Sequence, residues 1–438
     1  MSAPDPVPPG RRAADPPVAR IDPPPFLADP APAAVLAALP GARAVGGAVR
    51  DALARRPVAD VDVAAPFPPE AIAARLAVAG LRVHETGLAH GTLTAVLHGQ
   101  PVEVTSLRRD VVTDGRHAVV EWTTDWREDA ARRDFTINAL SLSADGDLWD
   151  YFGGREDLAA GRVRFVGDPA TRLAEDHLRA LRYFRFQARY GRGEPDPAAI
   201  AAIRAAVPSL ARLSVERVWM ELKRLLAAPD PADAVALMEG TGVLPAILGP
   251  DSLGAPRHLR ALAKIDGPAD PLLRFDLLLT HGSAAAARRL KASNEEAARL
   301  VARYRAGHDI LPLQPEIAAG GPDDDALRRL LAEQAAARLV DAAWHRQAIN
   351  RAWSWQGPDD TAWARFRERL RAMPAPVFPL LGRDALALGV SPGPELGRLL
   401  AETRRWWLEG GCTADAVACR ARLADLMRDI HGRPLPES

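Results

Sequence analysis

Two textures divide the chain. From about Ala33 to Asp150 short apolar runs alternate with turn residues, whereas beyond about Asp168 apolar positions recur at spacings of three and four to the end. In the first region AAVLAAL (Ala33–Leu39) predicts a short helix, and ARAVGGAVRDALARR (Ala42–Arg56) predicts a strand, a glycine turn and a helix. DVDVAAP (Asp60–Pro66) predicts a strand, and a helix follows around Pro69–Ala79. LRVHETG, GTLTAVLHG and PVEVTSLRR then predict an antiparallel meander, and Arg108–Asp125, polar and glycine-containing, predicts a mobile loop. In the second region LAEDHLRALRYFRFQARY (Leu173–Tyr190), VERVWMELKRLLA, PADAVALMEG and ARLADLMRDI all carry helical periodicity. The fold class expected is an α/β head with a mixed or antiparallel sheet, followed by an all-α neck and body. Residues 1–26, proline-rich and without pattern, predict an extended, disordered arm.

Composition changes this picture little. With 438 residues the chain exceeds what one core supports, so more than one unit is expected. Acidic and basic residues balance at 56 each, so any nucleic-acid surface must be a local patch. Only Lys223, Lys264 and Lys291 are lysines among those 56 basic residues, leaving 53 arginines, so arginine clusters carry reduced weight. Cys412 and Cys419 fit neither a disulfide framework nor a zinc site and predict reduced thiols in a cytosolic protein. No membrane span is expected.

The chemistry begins at GGAVRD (Gly46–Asp51) and Asp60-Val61-Asp62. On a strand, Asp60 and Asp62 project from one face, and two carboxylates so close repel unless a cation neutralises them. Oxygen ligands of this kind suit Mg²⁺ shared with substrate phosphates. The plain alternative is a surface strand with two solvated carboxylates. Gly46 and Gly47 shift the balance, because adjacent glycines before a helix let backbone N–H groups approach a triphosphate, with Arg50 one turn along.

With Arg132-Arg133-Asp134-Phe135-Thr136-Ile137-Asn138-Ala139, GDPATRLAEDHLRALRYFRF (Gly167–Phe186) and SVERVWMELKRLL (Ser214–Leu226) following in order, the chain resembles the class II CCA-adding enzymes and bacterial poly(A) polymerases. The resemblance implies a nucleotidyltransferase head over 27–165, a helical neck with a base-reading helix over 166–228, and a helical body and tail over 229–438 that binds tRNA. It implies template-independent addition of C, C and A to the tRNA 3′ end from CTP and ATP, with Mg²⁺ on the catalytic carboxylates Asp60 and Asp62. Gly46, Gly47, Arg50, Arg133, Asp134, Asn138, Asp176, Arg179, Arg182 and Arg185 would bind the nucleotide. Glu103 would supply a third carboxylate or order the site. Cytosine and adenine both present an exocyclic amine beside an unprotonated ring nitrogen. An acceptor-only Asp176 next to a donor-only Arg179 fits that edge and leaves unpaired groups against uracil and guanine. The plain alternatives are an ion-pair cluster at Arg132–Asp134 and a solvated helix face at Asp176–Arg185.

Departures and rivals bear on specificity. His177 stands where the family usually has proline, and Ala385 in GRDALALGVSPGPELGRLL stands where leucine is usual. Poly(A) polymerases resemble one another in a Gly-Arg-Arg-Phe segment and a basic tail. Here that segment reads Thr86-Gly87-Leu88-Ala89-His90-Gly91-Thr92 and the chain ends HGRPLPES, which favours CCA addition. A-adding or CC-adding specialists on the same fold stay open. His308-Asp309 lacks the further ligands of an HD phosphohydrolase. A non-catalytic RNA-binding protein conflicts with the intact Asp60 and Asp62. Trp353, Trp355, Trp363, Trp406 and Trp407 could stack on RNA but in helical segments are expected in the core, and Arg288-Arg289-Lys291 is a modest tRNA-backbone candidate.

Overall fold

A computed structural model describes residues 15–87, 91–113 and 118–431. The chain divides into two compact units, residues 1–249 and 250–438. The first is built on an eight-stranded sheet: β1 (Ala19–Arg20), β2 (Arg43–Val45), β3 (Asp62–Ala65), β4 (Arg82–Gly87), β5 (Thr92–Leu97), β6 (Gln100–Ser106), β9 (Leu140–Leu142) and β10 (Asp147–Asp150). The order across the sheet is β1-β10-β9-β2-β3-β6-β5-β4, and every pair is antiparallel except β3 with β6. The meander β4-β5-β6 follows the alternation read from the sequence.

Helices α1 (Pro30–Ala38), α2 (Gly47–Leu53) and α3 (Pro69–Val78) share a core with this sheet. Val35, Val49, Ile72 and Leu76 are fully buried with Val63, Leu93, Val104 and Leu142, so the apolar stripes of the helices and the sheet leave water together. Val45 on β2 pairs with Asp62 on β3, and Asp62 pairs with Glu103 on β6. That register sets the glycine turn after β2 beside the carboxylates.

Two expectations change here. Arg108–Asp125 contains an antiparallel hairpin, β7 (Arg108–Thr113) with β8 (Ala118–Trp122), capped outward by an Arg109–Glu121 ion pair of 2.7 Å; residues 114–117 lie outside the described residues. Its cross-strand pairing outweighs the polar composition that suggested a loop. The second concerns residues 15–26 of the expected arm. Val18 donates to the Leu148 carbonyl, β1 extends the sheet along β10, and Phe26 is buried, because the strand edge offers unpaired backbone groups. Residues 1–14 lie outside the described residues.

The unit continues through α4 (Trp126–Ala131), α5 (Gly154–Ala160), α6 (Pro169–Glu175), α7 (Arg179–Tyr190), α8 (Pro197–Ala206), α9 (Val215–Leu226), α10 (Ala232–Gly240) and α11 (Val243–Leu248). Leu173–Tyr190 is two helices rather than one. Asp176 takes extended backbone angles (φ −154°, ψ 105°), ending α6, and α7 begins at Arg179.

The second unit is helical. Trp363, Phe366, Leu370 and Ile310 are fully buried in one cluster, and Trp407, Cys419 and Leu423 in another. Trp363 and Trp407 therefore follow the core expectation and Trp406 packs partly buried, but Trp353 and Trp355 remain 48% and 57% exposed just past a helix end. Both cysteines are free and buried. No helix of the described residues is long and apolar enough to cross a membrane. A cavity of about 850 Å³ in this unit is lined by His308 and Asp309, where Asp309 accepts from Gln334 at 2.8 Å. Among the described residues no group of three His, Cys, Asp or Glu is placed to hold a metal.

Candidate active site

All twelve site residues expected from the sequence line one cavity of about 620 Å³ in the first unit: Gly46, Gly47, Arg50, Asp60, Asp62, Arg133, Asp134, Asn138, Asp176, Arg179, Arg182 and Arg185. Phe186 and Arg224 join them.

The glycine turn is conformational in origin. Gly46 has φ +64° and ψ −120°, angles that strain any L side chain, and a Cβ there would meet Arg133 Nη1 at 3.0 Å. The backbone is thus free to face the cavity where α2 begins. Asp62 opens β3, while Asp60 precedes the strand; the pair reaches the cavity from a strand entrance rather than from within one strand. Burial, with the charges of Glu103 and Asp60 added, pushes the Asp62 carboxyl above its ordinary range, against the lowering pull of Arg133. Neither Asp60 nor Asp62 has a side-chain hydrogen-bond or ion-pair partner among the described residues. Uncompensated oxygen donors at a cavity wall are the donor set that a hard divalent cation takes. Glu103 lies beside Asp62 by strand register, as the sequence reading placed it, and does not line the cavity.

The opposite wall is an arginine–carboxylate lattice. Asp134 accepts from the Phe135 amide at 2.9 Å, from Asn138 Nδ2 at 2.9 Å and from Arg182 Nε at 2.7 Å. Burial alone would raise its carboxyl, but the Arg182 charge and these hydrogen bonds outweigh it and hold it below the ordinary range. Asn138 Oδ1 in turn takes Arg50 Nη1 at 2.6 Å, and Arg50 pairs with Asp51, to which Tyr190 also donates. Arg132 and Arg133 pair with buried Asp129 at 2.7 and 3.2 Å, so the ion-pair reading of Arg132–Asp134 is correct for Arg132, while Arg133 also lines the cavity. The placement of α7 is aromatic: Phe135 packs on Phe165 at 4.9 Å and on Phe186 at 5.1 Å, and Phe165 on Tyr183 at 5.8 Å. Rigid rings thereby hold Arg182 over Asp134 and Arg185 over Glu221.

Asp176 and Arg179 reach the cavity from a helix break and not from one helix face. Asp176 Oδ1 accepts the Leu178 amide at 3.0 Å and Oδ2 takes Arg217 at 2.6 Å. Arg179 donates to the Arg172 carbonyl at 2.9 Å, to the Arg132 carbonyl at 3.2 Å and to Glu175. Glu175 of α6 thus orders Arg179 and Arg217 of α9 orders Asp176, and the solvated-face reading does not hold.

Sequence reasoning missed Arg217 and Glu221. Glu221 is buried and takes Arg185 at 2.7 Å, Arg224 at 3.3 Å and Arg182 at 3.9 Å. The signal was available, because Glu221 falls on the apolar stripe of α9 with Val218, Leu222 and Leu225. Arg217 carries no such signal, since its partner is set by the helix break.

Residues 42–164 match the model of the poly A polymerase head domain, and residues 194–252 match that of a probable RNA and SrmB-binding site of polymerase A. The chain is 36% identical over 385 residues to the mitochondrial CCA tRNA nucleotidyltransferase 1 of Danio rerio, covering 83% of each, and 35% identical over 389 residues to that of Homo sapiens. It is 38% identical over 224 residues to a CCA-adding enzyme of Streptococcus gordonii, covering 51% of this chain and 54% of that one. Its structure is similar to that of the Bacillus stearothermophilus CCA-adding enzyme in complex with CTP, with TM-score 0.74, 28% identity, and coverage of 92% of this chain and 99% of that chain. The chain belongs to the class II CCA-adding enzyme and poly(A) polymerase family, as a CCA tRNA nucleotidyltransferase.

Proposed function

We propose that this chain adds C, C and A to the 3′ end of tRNA from CTP and ATP without a template. The observation that carries this reading is the single cavity that unites two unpaired carboxylates, a glycine turn and an arginine-rich wall. Asp60 and Asp62 would hold Mg²⁺, which supplies charge neutralisation at the triphosphate and a more acidic attacking hydroxyl. The tRNA 3′-hydroxyl gives its proton to solvent as its oxygen bonds to the α-phosphorus, the bond from that phosphorus to the α,β-bridging oxygen breaks, and pyrophosphate leaves with that oxygen. Backbone N–H groups at Gly46–Gly47 and the Arg133 guanidinium receive the phosphates. Asp134 is held ionised by Phe135, Asn138 and two Arg182 nitrogens, so it would accept a ribose hydroxyl in exchange for one of these donors.

Base choice falls to Asp176 and Arg179. A carboxylate offers about four acceptor positions, of which two are used, and a guanidinium has five N–H donors, of which three are used. Both retain capacity toward the amine and ring nitrogen of C or A. The neck (166–228) presents this pair, and the helical residues beyond it hold the tRNA. Cytosolic location is read from two buried reduced thiols, whereas the fish and human relatives are named mitochondrial; imaging of a tagged chain separates the two.

The test is incubation of tRNA lacking CCA with all four NTPs and Mg²⁺, followed by product sequencing. The expected product ends in CCA and stops. Runs of A identify a poly(A) polymerase, addition of A alone or of CC alone identifies a specialist, and no addition removes the reading. Part of the segment that separates polymerases from CCA enzymes, Leu88–His90, lies outside the described residues.

A further inference from the structure

In the second unit the helix Ala336–Ala352 ends in a way that its sequence does not announce. Ser354 takes φ +52°, a left-handed conformation that serine seldom adopts. The Ser354 amide donates to the Arg351 carbonyl at 3.2 Å and the Trp355 amide to the Asn350 carbonyl at 2.9 Å, the paired bonds of a Schellman cap. That cap usually tucks its following residue against the helix. Here the following residue is Trp355, which stands 57% exposed, with Trp353 48% exposed beside it. Their rings lie nearly parallel, 18° apart in tilt with centroids 6.4 Å apart.

A cation lies over one ring of the pair. The Arg257 guanidinium lies 4.1 Å from the centre of the Trp353 ring. A cavity of about 450 Å³ alongside is lined by Arg257, Arg260, Lys264, Arg351 and Ser354, with no carboxylate in its lining. Arg351 pairs with Asp360 at 2.7 Å outside that lining, while Arg257 and Lys264 line the cavity as further cations. The region lies outside both segments matched by the family models.

We propose that Trp353 and Trp355 form a stacking platform for an unpaired base of the RNA, with the basic cavity beside them holding the flanking phosphates. Indole faces stack on any base, and guanidinium and ammonium groups suit the phosphodiester on either side. Protein interfaces are also enriched in tryptophan and arginine but depleted in lysine, so Lys264 and a lining without carboxylates favour a polyanion over a protein partner. The platform rests on the tRNA reading above, and it adds a grip on the RNA distinct from the nucleotide cavity.

The test uses the full chain and two RNAs: tRNA lacking CCA, and a fully paired acceptor-stem duplex of the same 3′ end that has no unpaired loop bases. In Trp353→Ala/Trp355→Ala, KM for tRNA should rise roughly tenfold to a hundredfold, the loss expected for stacked bases, with kcat and addition to the duplex unchanged. Trp353→Phe/Trp355→Phe, which keeps aromatic faces, should recover most of the affinity. Lys264→Gln should weaken tRNA binding and lower the slope of log affinity against log salt by about one. An alanine variant with wild-type KM for tRNA, or one that loses equal affinity for tRNA and duplex, overturns the platform. Failure of the wild-type chain to add nucleotides overturns the functional reading instead, and tRNA binding by the same variants then still decides the platform.

Discussion

The cavity that gathers Asp60 and Asp62 and the buried polar node of the second unit use the same chemistry to opposite ends. Around Asp276, fully enclosed among helices, Arg303 and Ser283 pair with the carboxylate and His345 Nε2 lies 2.9 Å away. Burial alone would raise the Asp276 carboxyl, but His345 and Arg303 outweigh it and hold it low. Around Asp62 the balance runs the other way: burial is reinforced by Glu103 and Asp60, and the carboxyl is held high. A carboxylate whose charge is answered inside the protein stabilises structure. One whose charge is only partly answered at a cavity wall, by Arg133 without a direct ion pair, keeps its chemistry for something that arrives from solvent.

The largest expected effect breaks the unanswered side. Asp60→Ala or Asp62→Ala should lower single-turnover nucleotide addition by several orders of magnitude at saturating Mg²⁺, with the circular dichroism spectrum unchanged. Asp62→Asn should do the same while raising the melting temperature of the metal-free protein, because the fold disfavours the charged form. A variant active to within about tenfold of wild type would remove the metal assignment.

Breaking the answered side should cost stability and spare chemistry. Asp276→Ala leaves Arg303 buried without its counter-charge and should lower unfolding free energy by about 3–5 kcal/mol in urea titrations, with kcat per folded molecule unchanged.

Base choice sharpens the comparison within the cavity. Asp176→Ala and Arg179→Ala should each shift incorporation from C and A toward U and G by roughly tenfold to a hundredfold in kcat/KM, read by single-nucleotide addition of each NTP. Arg217→Ala, which frees Asp176 without removing it, should shift the ratios in the same direction by less. Unchanged ratios in all three would leave these groups as structural ion pairs.

The smallest effect is a pH slope. Burial, with the Arg303 charge, holds His345 below its ordinary value of 6.5 against the raising pull of Asp276. The unfolded chain therefore takes up a proton that the folded chain refuses, so stability falls as pH drops below about 6.5 toward the folded value. Melting temperatures from pH 7.5 to 5.5 should decline more steeply for wild type than for His345→Gln. Asp276, held low, adds its own loss of stability at more acidic pH, as the solution falls through its folded value.

Much of the head was legible because its signals are local. Alternation marked the meander β4-β5-β6, Gly46 announced a turn that only glycine allows, and ordered short motifs marked the residues that line the cavity. What the linear pattern could not carry was partnership across distance. Asp176 and Arg179 looked like neighbours on one helix, yet backbone at Asp176 is extended and each side chain is claimed elsewhere, Asp176 by Arg217 41 positions away. Arg108–Asp125 read as a loop until its cross-strand partners were known, and residues 18–26 read as an arm until the open edge of β10 engaged them. Trp353 and Trp355 carry the composition of core, yet both stand exposed on either side of a left-handed serine. Periodicity and turn chemistry are properties of consecutive residues and so survive in the sequence. Charge compensation, strand-edge pairing and exposure depend on which distant groups arrive, and tertiary packing alone decides that.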